Sequence, residues 1–138
     1  MYKDIFTLIN FLKCQNKFRR VFFFENQFIE PHLTPYIYKN KNIDETIIVS
    51  LYKIQNDKLK NFKIFKFNRI FFINLFFLLL KIRYCYSSTP DIDNSAFQRS
   101  IFKKTKYIYI QHSPLGLNKI YRDNAFTNFD VVHVINSF

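Results

Sequence analysis

Among its three histidines, the chain carries one in a setting suited to proton transfer. The alternating run Tyr107-Ile108-Tyr109-Ile110 ends in Gln111-His112-Ser113-Pro114, which reads as a buried strand delivering His112 to a loop at its carboxyl end. Ligands of open α/β sheets bind at that edge. Imidazole titrates nearest physiological pH, so it can take a proton from a hydroxyl nucleophile. A loop-capping histidine satisfies the same spacing. Glu25 closes the earlier apolar run Val21-Phe22-Phe23-Phe24 and reaches the same edge. It reads either as a partner for His112 or a substrate hydroxyl, or as an exposed loop carboxylate. His32 follows Pro31 at a helix start, beside the positive end of a helix dipole. It reads as a contact for a phosphate group or as a surface histidine of the first turn. Arg99 and Lys103 have the chemistry to meet phosphate, though most such charges form a solvated face. Asp91 and Asp93 read equally as a carboxylate pair or an Asx-turn. His133 alternates with Val132 and Val134 and reads as a strand residue with no reactive role. The three histidines lack the local spacing of a zinc motif, so neither metal nor cofactor is expected.

The elements that must position these residues follow from periodicity. Ile5, Phe6, Ile9, Phe11 and Leu12 fall at helical spacing, predicting an amphipathic helix over residues 2–14. Strands are predicted at 20–25, 45–52, 82–87, 106–111 and 130–135. A helix is expected to begin near Pro31, with Pro35 either inside its first turn or shortening it. Another is expected over 118–128. The apolar run Ile70–Leu80 is too short for a bilayer span. It reads as a buried core helix or, given Lys58, Lys60, Lys63, Lys66 and Arg69 before it, as an interfacial helix on an anionic membrane. Strands alternating with helical connections imply an α/β fold with a parallel sheet. Residues 1–19 form the amphipathic helix region and residues 20–138 the sheet domain. Parallel strands are normally followed by covering helices, so an end three residues past the last strand reads as truncation.

Composition excludes several classes. A 138-residue chain with 49% hydrophobic residues has enough apolar material for a core. A single glycine, Gly116, excludes both common glycine-rich phosphate loops. The net charge of +11 suits an anionic partner, although Lys, Asn, Ile, Phe and Tyr are also what A+T-rich codons favour. The aromatics fall in apolar patterns and do not interleave with the cations, which argues against nucleic acid. Cys14 and Cys85 fit free thiols in a reducing cytoplasm. No signal peptide is expected.

Three blocks resemble the N-terminal half of the CDP-glycerol:glycerophosphate glycerophosphotransferases, the teichoic-acid and capsule polymerase family. Phe24-Glu25-Asn26 through Pro31-His32 is similar to the family's Ser-Glu-Gly and Tyr-Trp-Pro-His segment. Thr89-Pro90-Asp91-Ile92-Asp93 through Gln98-Arg99-Ser100 is similar to T-x-P-D-L-D and K-R-S. Residues Tyr107 to His112, Tyr121-Arg122 and Ala125 to Asp130 resemble Y-V-Y-x-x-H, Y-R and A-F-D-x-F-D. The chain departs from the pattern in carrying Asn26 for Gly, Ile29-Glu30 for Tyr-Trp, and Ile135-Asn136-Ser137 for Gly-Pro-His. The resemblance implies a truncated Rossmann-like parallel sheet, the acceptor-side half of a GT-B-type architecture. It implies transfer of glycerol phosphate, or a similar polyol phosphate, from a CDP-linked donor to a polyol-phosphate or glycan acceptor. The setting is the inner face of the cell membrane, with the protein cytoplasmic and peripheral. His112 falls on the position proposed as general base. The donor is held mainly by a C-terminal half, so the chain alone is expected to be incomplete. The alternatives are a non-catalytic basic module binding an anionic membrane surface, or an inactive gene remnant.

Overall fold

The strand Arg20–Phe24 (β1) is the centre of the molecule, and its four residues from Val21 to Phe24 are all buried. Such a continuous apolar run marks a strand covered on both faces. The computed structural model describes residues 1–39, 42–90, 92–93, 97–111 and 124–134. Helix α1 (Tyr2–Cys14) precedes β1; helix α2 (Glu30–Lys39), β2 (Thr46–Ser50), β3 (Lys63–Lys66), helix α3 (Ile70–Leu78), β4 (Tyr84–Ser87), β5 (Lys106–Ile110) and β6 (Val131–His133) follow.

The six strands form one sheet in the order β3-β2-β1-β4-β5-β6. Every neighbouring pair is parallel. This is the doubly wound Rossmann order, and the chain reverses its direction of winding between β1 and β4.

Strand alternation divides the core in two. Val21 and Phe23 face α1 and α3 and pack with Phe11, Phe76 and Phe77. Phe22 and Phe24 face α2 and pack with Leu33, Ile37 and Phe62. Two buried polar side chains fasten α1 beside α3. Asp4 accepts hydrogen bonds from the backbone N and Nδ2 of Asn68, at 2.9 and 2.8 Å. Gln15 Oε1 accepts from the backbone N of Lys81 at 2.9 Å. Each satisfies a backbone donor at a helix flank that burial would otherwise strand.

Several expectations are refined. α2 runs through Pro35 to Lys39, so this proline does not shorten it. Pro35 is the sixth of its ten residues, past the first turn, and Thr34 Oγ1 beside it donates to the carbonyl of Glu30 at 2.6 Å. α3 buries Phe72, Ile73, Phe76 and Phe77, making it a core helix. Strand β3 was not anticipated. Only Phe65 of its four residues is buried, which leaves no apolar run to read, and its exposed lysines suit an edge strand. The helix expected over 118–128 is corrected where it is described: residues 124–128 form turns. Asn124 sits at φ 72°, the left-handed region that ends a helix, and Thr127 N–H and Phe129 N–H donate three residues back. Among the described residues, no helix is long and apolar enough to cross a membrane.

Candidate functional site at the carboxyl edge of the sheet

β1 and β4 end side by side, with Phe23 in register with Ser87. In open sheets of this order ligands bind beyond those ends, where the winding reverses. Glu25 and Thr89 meet there: Thr89 Oγ1 donates to Glu25 Oε2 at 2.7 Å. Thr89 is itself held by its backbone N–H, which donates to Ser87 Oγ at 3.0 Å. Ser88 is buried beside it, and its Oγ has no hydrogen-bond partner among the described residues. A buried hydroxyl without a partner is costly, so this edge holds an unspent polar group next to a positioned carboxylate. Sequence reading carried Thr89 only as the opening residue of the second resembled block and did not single out Ser88. The available signal was a run of hydroxyl side chains immediately after a strand adjoining the switch.

The turn from β1 into α2 carries Asn26 where the resembled pattern has glycine. Asn26 Oδ1 accepts from the backbone N of Phe28 at 3.0 Å, an Asx-turn that asparagine makes readily. The described non-glycine residues with positive φ are Asp93, Lys103 and Asn124, so no glycine is required at 26. His32 lies half-buried in the first turn of α2, its backbone N–H donating to the carbonyl of Ile29. It therefore belongs to the same edge as Glu25. β5 ends beside β4, and buried Gln111 continues it, its N–H donating to the carbonyl of His133 at 3.0 Å. His112 and Asp91 lie outside the described residues. His133 is exposed at the end of β6, its ring edge-on to Tyr36 of α2 at 5.9 Å.

Arg99 is placed elsewhere. Its guanidinium donates to the carbonyl of Asn128 at 3.0 Å and to Asp130 Oδ2 at 2.9 Å, and lies over the Tyr107 ring. Asp130 immediately precedes β6, and its Oδ2 also accepts from Tyr107 N at 2.7 Å. These groups sit at the amino edge of the sheet, across the strands from Glu25 and His32. The three acceptor-side candidates therefore do not converge: two share the carboxyl edge, while Arg99 braces the start of β5 and β6. Asp93 joins the same brace by accepting from Arg99 N at 2.6 Å.

That arrangement predicts a structural coupling. Arg99→Ala and Asp130→Ala should each destabilise, Asp130→Ala more, because its carboxylate also starts the β5–β6 pairing. In a double-mutant cycle read by urea unfolding, the pair should couple by about 0.5–1 kcal/mol, discounted because both side chains are one-third exposed. Strict additivity would show that the brace carries nothing.

The chemistry of the remaining polar groups is limited. Burial pushes the Cys85 thiol well above its usual range, so it is an inert core thiol. Tyr107 is raised chiefly by burial too and stays neutral, its hydroxyl oxygen accepting from the backbone N–H of Ser100 at 2.8 Å. No group of three or more metal-ligating side chains occurs among the described residues. Family models, curated proteins and solved structures give no match to this chain.

Proposed function

We propose that this chain is the acceptor-side part of a transferase. It moves glycerol phosphate, or a similar polyol phosphate, from a CDP-linked donor to an acceptor hydroxyl in teichoic-acid or capsule synthesis. The observation that carries the reading is the Glu25–Thr89 hydrogen bond. It joins the first and second blocks of the resemblance, far apart in sequence, at the reversal point of a doubly wound sheet. The third block enters along β5 and leads to His112 from the same edge. At the opposite edge the second and third blocks meet again through Arg99 and Asp130. One glycine cannot form a glycine-rich phosphate loop, so the reading puts the donor site on a C-terminal GT-B half or a second chain. Within this reading Glu25 orients the acceptor hydroxyl or His112, and His32 meets acceptor phosphate.

The test is to join residues 1–138 to a C-terminal half carrying a CDP-glycerol site and to measure transfer of label. Glu25→Ala should lower the rate roughly tenfold or more, the loss expected for a hydrogen bond to a charged group, with circular dichroism unchanged. A joined enzyme indifferent to Glu25 would remove this edge from the reaction.

A second reading, attachment to an anionic membrane surface, is favoured by α1. Its inner side buries Leu8 and Phe11, yet its outer side exposes Tyr2, Phe6 and Ile9 at 83, 67 and 44%. Lys3 and Lys13 are exposed on the same helix, whose one acidic residue, Asp4, is buried. Phe71 and Arg69 are exposed at the start of α3. Apolar side chains flanked by cations suit the plane of a headgroup layer. This moves the proposed contact away from the apolar face of α3, which the core occupies. Binding to vesicles containing phosphatidylserine should fall steeply with salt and weaken roughly tenfold or more in a Lys3→Ala/Lys13→Ala protein, at about 1 kcal/mol per cation. Equal binding to neutral vesicles, or no effect of Phe6→Ser, would refute it.

A further inference from the structure

A second feature of the carboxyl edge lies one strand over, at the end of β2. Tyr52 follows that strand, and its hydroxyl donates to Glu30 Oε2 of the first turn of α2 at 2.7 Å. Burial first, and then the bond to Glu30, hold the phenol proton firmly on. Tyr52 is thus a permanent donor, and it uses one of the roughly four acceptor positions of the Glu30 carboxylate. Beside this pair opens a cavity of 530 Å³, lined by both residues and by Gln27, Thr34, Lys53 and Lys58 among others. That volume is ordinary for a small-molecule site. Lys53 and Lys58 are exposed and form no ion pair among the described residues. The sequence signal is a departure: Glu30 stands where the resembled pattern carries tryptophan, whose indole has the bulk to fill this space.

From these groups we infer that the cavity binds a phosphorylated sugar or polyol, with its hydroxyls on Glu30 and its phosphate on Lys53 and Lys58. The carboxylate disfavours a bare anion by like-charge repulsion and favours hydroxyl donors. A neutral sugar leaves the two lysines unused. One molecule carrying both groups satisfies the lining. The inference goes beyond the transferase reading and does not rest on it.

The experiment is calorimetric titration of the 138-residue chain with glycerol 3-phosphate, inorganic phosphate and glycerol. Glycerol 3-phosphate should bind about tenfold or more tighter than either fragment. Lys53→Ala/Lys58→Ala should weaken it by a similar factor, and Glu30→Trp should abolish it with the circular dichroism spectrum retained. Should Glu30→Trp fail to fold, Glu30→Gln should still erase the preference over inorganic phosphate. Equal affinity for inorganic phosphate, or binding that survives these substitutions, overturns the proposal. An inactive joined enzyme whose 138-residue part still binds glycerol 3-phosphate here counts against the transferase reading and leaves this site standing.

Discussion

Phe76→Ala should cost about 3–5 kcal/mol of folding free energy, the range for emptying a buried phenylalanine site. Phe76 is fully buried at the junction of three elements. Its ring lies 4.5 Å from Phe11 of α1, 5.3 Å from Phe77 and 6.0 Å from Phe67 just after β3. Truncation removes the contact through which α1 and α3 share one core, and neighbouring aromatic rings relax poorly into the void. For a domain of ordinary stability, about 5–15 kcal/mol, that is a large fraction of the whole. With a urea m-value of about 1–3 kcal/mol per M, the midpoint should fall by roughly 1 M or more. Phe71→Ala is the control. It lies on the same helix but is 64% exposed, and should change stability by no more than about 0.5 kcal/mol. Similar losses for both would mean that α3 does not present the face described.

His112→Ala should reduce transfer by the joined enzyme roughly 10²–10⁴-fold, the usual contribution of a general base. An acceptor hydroxyl is a poor nucleophile until its proton has somewhere to go. His112 directly follows Gln111, the buried continuation of β5, and β5 adjoins β4, which leads to Thr89 and its bond to Glu25. The loss should appear in kcat at saturating acceptor, since proton removal belongs to the transition state and contributes little to acceptor binding. A rise in KM with kcat unchanged would make His112 a binding residue.

Much of this fold was legible because its central strands are apolar throughout. β1, β2 and β5 announce themselves as short runs of β-branched and aromatic residues, and α1 by its helical spacing of Ile5, Phe11 and Leu12. β3 hid because an edge strand needs one buried side chain, and Lys63 and Lys66 resemble any solvated charge run. Residues 124–128 failed as a helix because local apolar spacing cannot report the left-handed backbone at Asn124. At the site, Glu25 and His32 were legible as strand-end and helix-start residues. The Glu25–Thr89 bond was not, since it depends on β4 lying beside β1 across a crossover. Arg99 shows the reverse problem. Its type suggests phosphate, but only the pairing of β5 with β6 reveals the Asp130 carboxylate already in its grasp. The Glu30–Tyr52 pair escaped notice for the same reason, its partners being brought together by α2 packing over β2.

The central claim is that the carboxyl edge of this sheet is the acceptor side of a polyol-phosphate transferase. The most direct measurement is single-turnover transfer of labelled glycerol phosphate from CDP-glycerol by residues 1–138 joined to a CDP-binding half, comparing His112→Ala with His133→Ala. The account predicts transfer by the parent protein, near-complete loss with His112→Ala, and retention with His133→Ala. A folded joined protein that binds CDP-glycerol without transferring, or one whose transfer survives His112→Ala, would contradict it.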